Sequence, residues 1–463
     1  MTQENHFLSH TRGLALLSLP IIGGHLANFA LHVTDTVMMG WYGVTELAAL
    51  VLATSTYFFL FILGSGVSIG LMGLLSTALG RGDEVQVRRD TRMGLWFSIG
   101  YGLVMALPLF WSESLLIALG QKPELAGLAQ DYLRIAGFGM VPALVAAVLR
   151  SYFSALEKAG LVLWVTLASV VLNAGLNWVF IFGRYGLPEM GVQGAAIATL
   201  GSQIFATLIL LYVAHFGRDF RRFHLLQRFW RPDWNAMGNV LRLGLPAGLT
   251  ALAESGLFIA AALMMGWVGK IELAAHGIAL QVGALAFMVY MGISNATTVK
   301  LGRAYGEGDA LAMQGVVKAA LVVTLVICAT LVSLILLFPE QILRLFLDPS
   351  SPDVAEILIF GTSLLTLAAA FQLFDAMQVL ALGFLRAVND AKVPMLLASF
   401  SYWLIGLPSS YVLGFIVGWG GMGIWMGLII GLAAAAGLLM LRYFRGDWSA
   451  RVGVEEVSAG FHA

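Results

Sequence analysis

The chain has 463 residues, of which 59% are hydrophobic and only 11% are charged. In soluble domains roughly a quarter of all residues are charged, so this composition indicates an integral membrane protein. The 26 basic and 26 acidic residues give a formal net charge of zero, which provides no reason to expect a nucleic-acid partner. Because Cys328 is the single cysteine, an internal disulfide and a paired thiolate metal site are excluded.

Long apolar runs follow one another along the chain, and each reaches the roughly 20 residues that a helix needs to cross a bilayer. A β-barrel is excluded because barrel strands alternate in polarity, whereas these runs are continuous. The short polar N-terminus leads into the first run, which we interpret as a retained helix. The sequence therefore predicts an all-α membrane protein with twelve spans, at 13–39, 47–75, 93–117, 128–154, 160–183, 191–216, 240–267, 273–299, 314–338, 355–385, 394–418 and 421–442.

The basic residues orient these spans, since cytoplasmic loops carry an excess of Lys and Arg. With the N-terminus in the cytoplasm, 21 of the 26 basic residues lie inside and five lie outside. This asymmetry predicts a multi-pass protein of the cell inner membrane with both termini in the cytoplasm. The Arg-rich stretch 218–242 is interpreted as a topology determinant rather than as a nucleic-acid or lipid patch. The five outside residues are Lys122, Arg134, Arg184, Lys270 and Arg344.

Two copies of one unit make up the chain. LSLP at Leu17–Pro20 recurs as LGLP at Leu243–Pro246, and MMGW at Met38–Trp41 recurs at Met264–Trp267, in each case 226 positions later. The ungapped alignment from Leu17 to Asp83 has 24 identities in 67 positions. Six spans per copy give a parallel repeat, as in many secondary transporters. We predict two pseudo-symmetric six-helix lobes, 1–216 and 240–463, joined by a cytoplasmic linker at 217–239.

Three acidic residues within the spans are not repeated: Asp35, Glu254 and Asp375 correspond to alanine or asparagine in the other copy. A carboxylate within a spanning helix costs about 2.5–3.5 kcal/mol on insertion scales, so we interpret all three as functional candidates. Glu254 and Asp375 lie deep in their spans. Asp35 lies five residues before the turn expected at Gly40, so an acid at the outer interface is an equal alternative.

Neutral polar residues add a second set of candidates. Asn173 and Asn177 are four residues apart and share one helix face. Their carbonyl oxygens suit a hard cation, and Thr199 offers a third oxygen, but from the residues alone the packing of neighbouring helices is the favoured explanation of the asparagines. His25, His32 and His276 show no metal-binding spacing and are interpreted as packing residues.

The sequence resembles the multidrug and toxic compound extrusion family, and within it the NorM branch. The resemblance rests on LSLP and TDTVMMG in the first span, GLP and the glutamate of the seventh, LNAGLNWVF, GVQGAAIAT, and above all FDAMQVLALGFLRAVND at Phe374–Asp390. It implies a bundle of twelve helices in two lobes around a central cleft, which exports organic cations and other xenobiotics by antiport with Na⁺ or H⁺. Carried over by residue, it implies an N-lobe cation site at Asp35, Asn173, Asn177 and Thr199, and a C-lobe site at Glu254, Tyr290 and Asp375.

Drug export is expected to be coupled to ion import because the drug and the ion compete for the same carboxylates. Binding two cationic ligands to one buried acid at once is unfavourable. Pro20 and Pro246 each remove a backbone hydrogen bond, so bends are expected in the first and seventh spans. The choice between Na⁺ and H⁺ stays open. A related flippase for lipid-linked oligosaccharides is the main alternative, a passive channel is another, and an enzyme is not expected. We expect a monomer without a cofactor whose partners are the drug, the coupling ion and membrane lipid.

Overall fold

The computed structural model describes residues 3–347 and 353–448. Within these ranges it contains twelve helices long and apolar enough to cross a membrane, and no strand. The predicted all-α architecture with twelve spans is therefore confirmed. The spanning helices are α1 (Gln3–Tyr42), α2 (Val44–Gly80), α3 (Glu84–Phe110), α4 (Pro123–Ala155), α5 (Ala159–Phe180), α6 (Gly191–Phe216), α7 (Trp234–Val268), α8 (Lys270–Glu307), α9 (Ala310–Leu337), α10 (Val354–Ala387), α11 (Lys392–Ile416) and α12 (Gly420–Arg445).

The third span differs from the sequence prediction at both ends. It begins at Glu84, and it ends at Phe110, after which Ser112–Ala118 forms a short separate helix. The early start has a local cause, because the Asp83 side chain caps α3 by accepting a hydrogen bond of 2.8 Å from the backbone amide of Gln86. Asp309, the repeat counterpart of Asp83, caps α9 in the same way.

The predicted linker is partly helical and is fastened to α3. The helix α7 already begins at Trp234, so the last residues of 217–239 belong to it. Trp96 donates an indole hydrogen bond of 2.8 Å to the carbonyl of Phe229, and Arg92 donates to the carbonyl of Arg228 at 3.2 Å. Asp233 caps α7 at the amide of Ala236 and forms an ion pair with Arg89. Three polar contacts to α3 and one helix cap therefore fix the path of this segment.

The chain divides into two compact units, Gly23–Gly248 and Met1–Ile22 with Leu249–Ala463. The divisions fall inside α1 and α7, in each case two residues after the paired prolines Pro20 and Pro246. The first part of α1 thus belongs to the unit of the later helices, and the first part of α7 to the unit of the earlier ones. The lobe boundaries at 216 and 240 stay a prediction.

A close helix crossing occurs in each unit at equivalent places in the repeat. In the first unit a Cβ atom added to Gly66 of α2 would lie 2.3 Å from the backbone nitrogen of Gly248 in α7. In the second unit a Cβ atom added to Gly292 of α8 would lie 2.9 Å from the Cα atom of Ile22 in α1. Gly292 and Gly66 differ by 226 positions, and so do Gly248 and Ile22. Only glycine permits backbones to approach this closely.

The helices α4 and α10 form the interior of their units. Most side chains of α4 from Ala126 to Ala155 are buried, and so are most of those of α10 from Gly361 to Ala387. These helices correspond in the repeat. Because α10 is buried on several faces, a carboxylate on it lies among protein atoms rather than lipid.

Candidate cation-coupling sites

The first group of polar residues lies around Asp35, whose side chain is only 3% exposed. Asn177 donates a hydrogen bond of 2.6 Å from Nδ2 to Oδ1 of Asp35, and Thr199 donates one of 2.9 Å from Oγ1 to Oδ2. The Asn177 Nδ2 also lies 3.1 Å from the Oδ1 of Asn173. The structure thus brings Asp35, Asn173, Asn177 and Thr199 together within one unit.

Helix geometry accounts for this arrangement. Asn173 and Asn177 lie one turn apart on α5, which places both amides on the side that faces α1, and Thr199 comes from α6. Both donors to Asp35 are neutral, so the carboxylate is solvated by hydrogen bonds without a hydrogen-bonded counter-ion. The bond from Asn177 to Asp35 joins α5 to α1, so it also agrees with the alternative that the asparagines hold neighbouring helices together. That the four residues bind an ion stays a prediction.

The second group lies in the other unit around Glu254 of α7. Gln378 of α10 donates a hydrogen bond of 3.0 Å from Nε2 to Oε1 of Glu254. Asp375, three residues earlier on α10, is 2% exposed, and the charge of Glu254 acts on it. Glu254 is partly buried and Asp375 is buried, and two acids in one group favour a positively charged ligand.

Tyr290, the third predicted C-lobe residue, is not hydrogen-bonded to either acid in the described part of the chain. Its side chain is 1% exposed and packs in a cluster with Cys328, Ala376 and Val379. A role for Tyr290 in ion binding stays a prediction.

The sequence analysis missed Gln378 and two arginines. Arg386 of α10 donates a hydrogen bond of 3.0 Å to the Oγ of Ser294, and its charge acts on Glu254. Arg150 of α4 donates one of 3.3 Å to the Oδ1 of Asn28, which is the repeat counterpart of Glu254. Both arginines were assigned to the cytoplasmic ends of their spans, and nothing in the sequence shows that they turn inward. A glutamine has no charge that would distinguish it within an apolar span.

The oxygen atoms of the side chains in both candidate sites suit a hard cation. Among residues 3–347 and 353–448 no group of three or more His, Cys, Asp or Glu side chains is placed to hold a metal. Carboxylate, amide and hydroxyl oxygens are ligands for hard cations. His276 accepts a hydrogen bond of 3.0 Å at Nδ1 from the indole of Trp425, which agrees with its interpretation as a packing residue.

The sequence profile of the MatE family matches residues 20–179 and 246–412, so the two matches begin at the paired prolines. The chain belongs to the MatE family. It is 44% identical over 442 residues to a probable multidrug resistance protein NorM of Rhizobium meliloti, covering 96% of this chain and 95% of that protein. It is 42% identical to the probable NorM protein of Agrobacterium fabrum, with 94% of each chain covered.

Solved structures of MATE transporters show the same fold at lower identity. The eukaryotic transporter AtDTX14 superimposes with a TM-score of 0.85 at 20% identity, covering 96% of this chain and 98% of that one. An outward-facing multidrug resistance MATE transporter gives a TM-score of 0.85 at 22% identity, covering 98% and 99%. The MatE protein described here is therefore a multi-pass membrane transporter of two six-helix lobes, from a family of multidrug efflux proteins, and it is not an enzyme.

Proposed function

We propose that this MatE transporter is an antiporter of the cell inner membrane that exports organic cations and other xenobiotics in exchange for Na⁺ or H⁺. Its NorM relatives are named as probable multidrug resistance proteins. The basic residues support an orientation with both termini in the cytoplasm, since 21 of 26 fall on that side of the predicted spans. No relative supports the flippase alternative.

One observation supports antiport most directly, namely that each unit contains a membrane acid hydrogen-bonded by a buried neutral amide: Asp35 by Asn177, and Glu254 by Gln378. A buried carboxylate without a hydrogen-bonded cation gains stability from any cation that reaches it. Drug and coupling ion therefore compete for the same charge. Release of one on binding of the other couples the two fluxes.

The surroundings of Asp35 favour Na⁺ as the coupling ion. Asn173, Asn177 and Thr199 add amide and hydroxyl oxygens to the carboxylate, and such oxygens are the ligands of hard cations. A proton is the second candidate, because a proton needs only the carboxylate. Substitution of the neutral residues distinguishes the two ions. Loss of an amide oxygen weakens a Na⁺ site directly, whereas a proton needs only the carboxylate.

Drug resistance of cells that carry single substitutions tests the function. We expect Asp375→Asn and Glu254→Gln to abolish drug export at normal expression, since each removes a negative charge with little change in shape. Glu340→Gln is the matched control, because Glu340 is an exposed acid paired with Arg344 on a short helix. If both Asp375→Asn and Glu254→Gln confer the parent's resistance, the acids are structural and the proposed coupling is wrong.

A further inference from the structure

Gln378 places an uncharged polar side chain in the buried interior of its unit. Its side chain is fully buried, at 0% exposure, although a leucine would fill the same space without a polar group. Its Nε2 donates to Oε1 of Glu254 at 3.0 Å. This bond ties α10 to α7 and fixes the position of one Glu254 oxygen. Gln378 also lies three residues after Asp375, so both side chains project from neighbouring positions on one helix face.

The other end of the Gln378 amide has no partner. Within the described residues its Oε1 is buried and accepts no hydrogen bond. A buried carbonyl oxygen without a hydrogen-bond partner costs free energy. A bound ligand that contacts this oxygen would recover part of that cost. An amide oxygen binds a hard cation, and it does so without adding a third negative charge to the site.

The N-lobe site contains the same arrangement. Asn177 is also fully buried, its Nδ2 donates to Asp35, and its Oδ1 has no hydrogen-bond partner within the described part of the chain. In each unit one amide therefore holds a membrane acid with its nitrogen and leaves its oxygen available.

Duplication does not explain this likeness. The later spans of the two copies align at an offset of 232 positions, at which Asn177 corresponds to Ser409 and Gln378 corresponds to Ala146. The two amides also come from helices that are not counterparts, α5 and α10. Both units therefore pair a membrane acid with an amide, although the two amides come from positions that are not equivalent in the repeat. This favours a common chemical role for the amides over a packing arrangement retained from the duplication.

We propose that Gln378 is a cation ligand of the C-lobe site, where its Nε2 positions Glu254 and its Oε1 binds a Na⁺ ion held between Glu254 and Asp375. This inference rests on the proposed function and adds a neutral ligand to it. The site then has two carboxylates and one amide oxygen, and the ion relieves the repulsion between the carboxylates.

Equilibrium binding of radioactive Na⁺ to the purified full-length protein tests the inference. An Asp35→Asn background removes the N-lobe acid, so that the remaining binding reports on the C-lobe site. In this background we expect Gln378→Ala to raise the Kd for Na⁺ about tenfold and to change the preference for Na⁺ over Li⁺ and K⁺. Gln378→Met, which keeps the length of the side chain but has no oxygen ligand, has the same expected effect and serves if the alanine variant does not fold.

Gln130→Ala is the matched control, because Gln130 is a buried glutamine in the other unit whose Nε2 donates to Glu113 and whose Oε1 already accepts a hydrogen bond. We expect it to keep the Kd of the background protein. Normal Na⁺ affinity and selectivity in both Gln378 variants, together with loss of binding in Glu254→Gln, would overturn the inference and leave the proposed function standing. Absence of Na⁺ binding in the background protein itself would reject Na⁺ at the C-lobe acids, and the inference with it.

Discussion

Asn177 donates its shortest hydrogen bond to Asp35 and a longer one to Asn173, so the two asparagines do not have equal access to the acid. Asn177→Ala removes the amide oxygen that has no hydrogen-bond partner among the described residues and is the proposed Na⁺ ligand, together with the donor that positions the carboxylate. We expect it to raise the Na⁺ concentration for half-maximal drug efflux about tenfold, the effect of losing about 1.4 kcal/mol of binding free energy. Asn173→Ala removes a neighbour of that donor and is expected to have a smaller effect. Equal effects of the two variants would contradict this ranking.

Gly66 provides a test of the crossing between α2 and α7. A Cβ atom there would meet backbone atoms of Gly248 that cannot move without shifting a helix. We expect Gly66→Ala to destabilise the protein by about 1–3 kcal/mol, as overpacking commonly does, and to lower its unfolding temperature in detergent. Gly100→Ala on the exposed side of α3 is the control, because no atom lies within 4 Å of its added Cβ. Equal unfolding temperatures for the two variants would show that the crossing is not tight.

Asp233 has two roles at the start of α7, and two substitutions separate them. Asparagine caps a helix as well as aspartate does, so Asp233→Asn removes only the ion pair with Arg89, worth about 0–1 kcal/mol at this partly exposed position. Asp233→Ala also removes the cap, which adds about 1 kcal/mol. We expect hydrogen exchange at residues 234–240 to be faster in Asp233→Ala than in Asp233→Asn. Asp219→Asn, in an exposed pair with Lys158, should leave this exchange unchanged.

The same contact predicts a pH dependence. The hydrogen bond from Arg89 holds the pKa of Asp233 below its ordinary value, against the opposing effect of burial. A lowered pKa in the folded state means that the ion pair stabilises the start of α7 above the ordinary pKa of about 4. This contribution is lost as the pH falls through the lowered value. Exchange at residues 234–240 should therefore accelerate with acid in the parent more than in Asp233→Asn, after correction for the intrinsic rate. The same acceleration in both would contradict the assignment.

The sequence predicted the twelve helices because a bilayer requires continuous apolar runs, and it predicted the acids because a charge within such a run is conspicuous. It predicted the end of α3 wrongly, since the apolar character continues past Trp111 although the helix does not. The contact between Asn177 and Asp35 joins residues 142 positions apart, and spacing within one helix cannot show it. Gln378 was missed because it is uncharged, and its role becomes visible only through its hydrogen bond to Glu254 on another helix. The division of the chain into two units after Pro20 and Pro246 depends on how the helices pack, and no sequence motif indicates this packing.

Membrane orientation is tested with two single cysteines in a Cys328-free protein. Arg231 in the linker and Gln121 between α3 and α4 are both exposed in the structure. The excess of basic residues on one side predicts that Arg231→Cys reacts with an impermeant reagent only after the membrane is opened. Gln121→Cys should react in intact spheroplasts. Reaction of Arg231→Cys in intact spheroplasts would contradict the predicted orientation.

Drug efflux from proteoliposomes under an imposed ion gradient tests the coupling most directly. The parent and Asp35→Asn are compared under a Na⁺ gradient alone and under a pH gradient alone, with the drug loaded equally. Coupling at Asp35 with its amide and hydroxyl neighbours predicts that the Na⁺ gradient drives efflux in the parent and that Asp35→Asn abolishes this response. Efflux that is driven by the pH gradient alone, with no response to Na⁺ in the parent, would contradict the Na⁺ assignment.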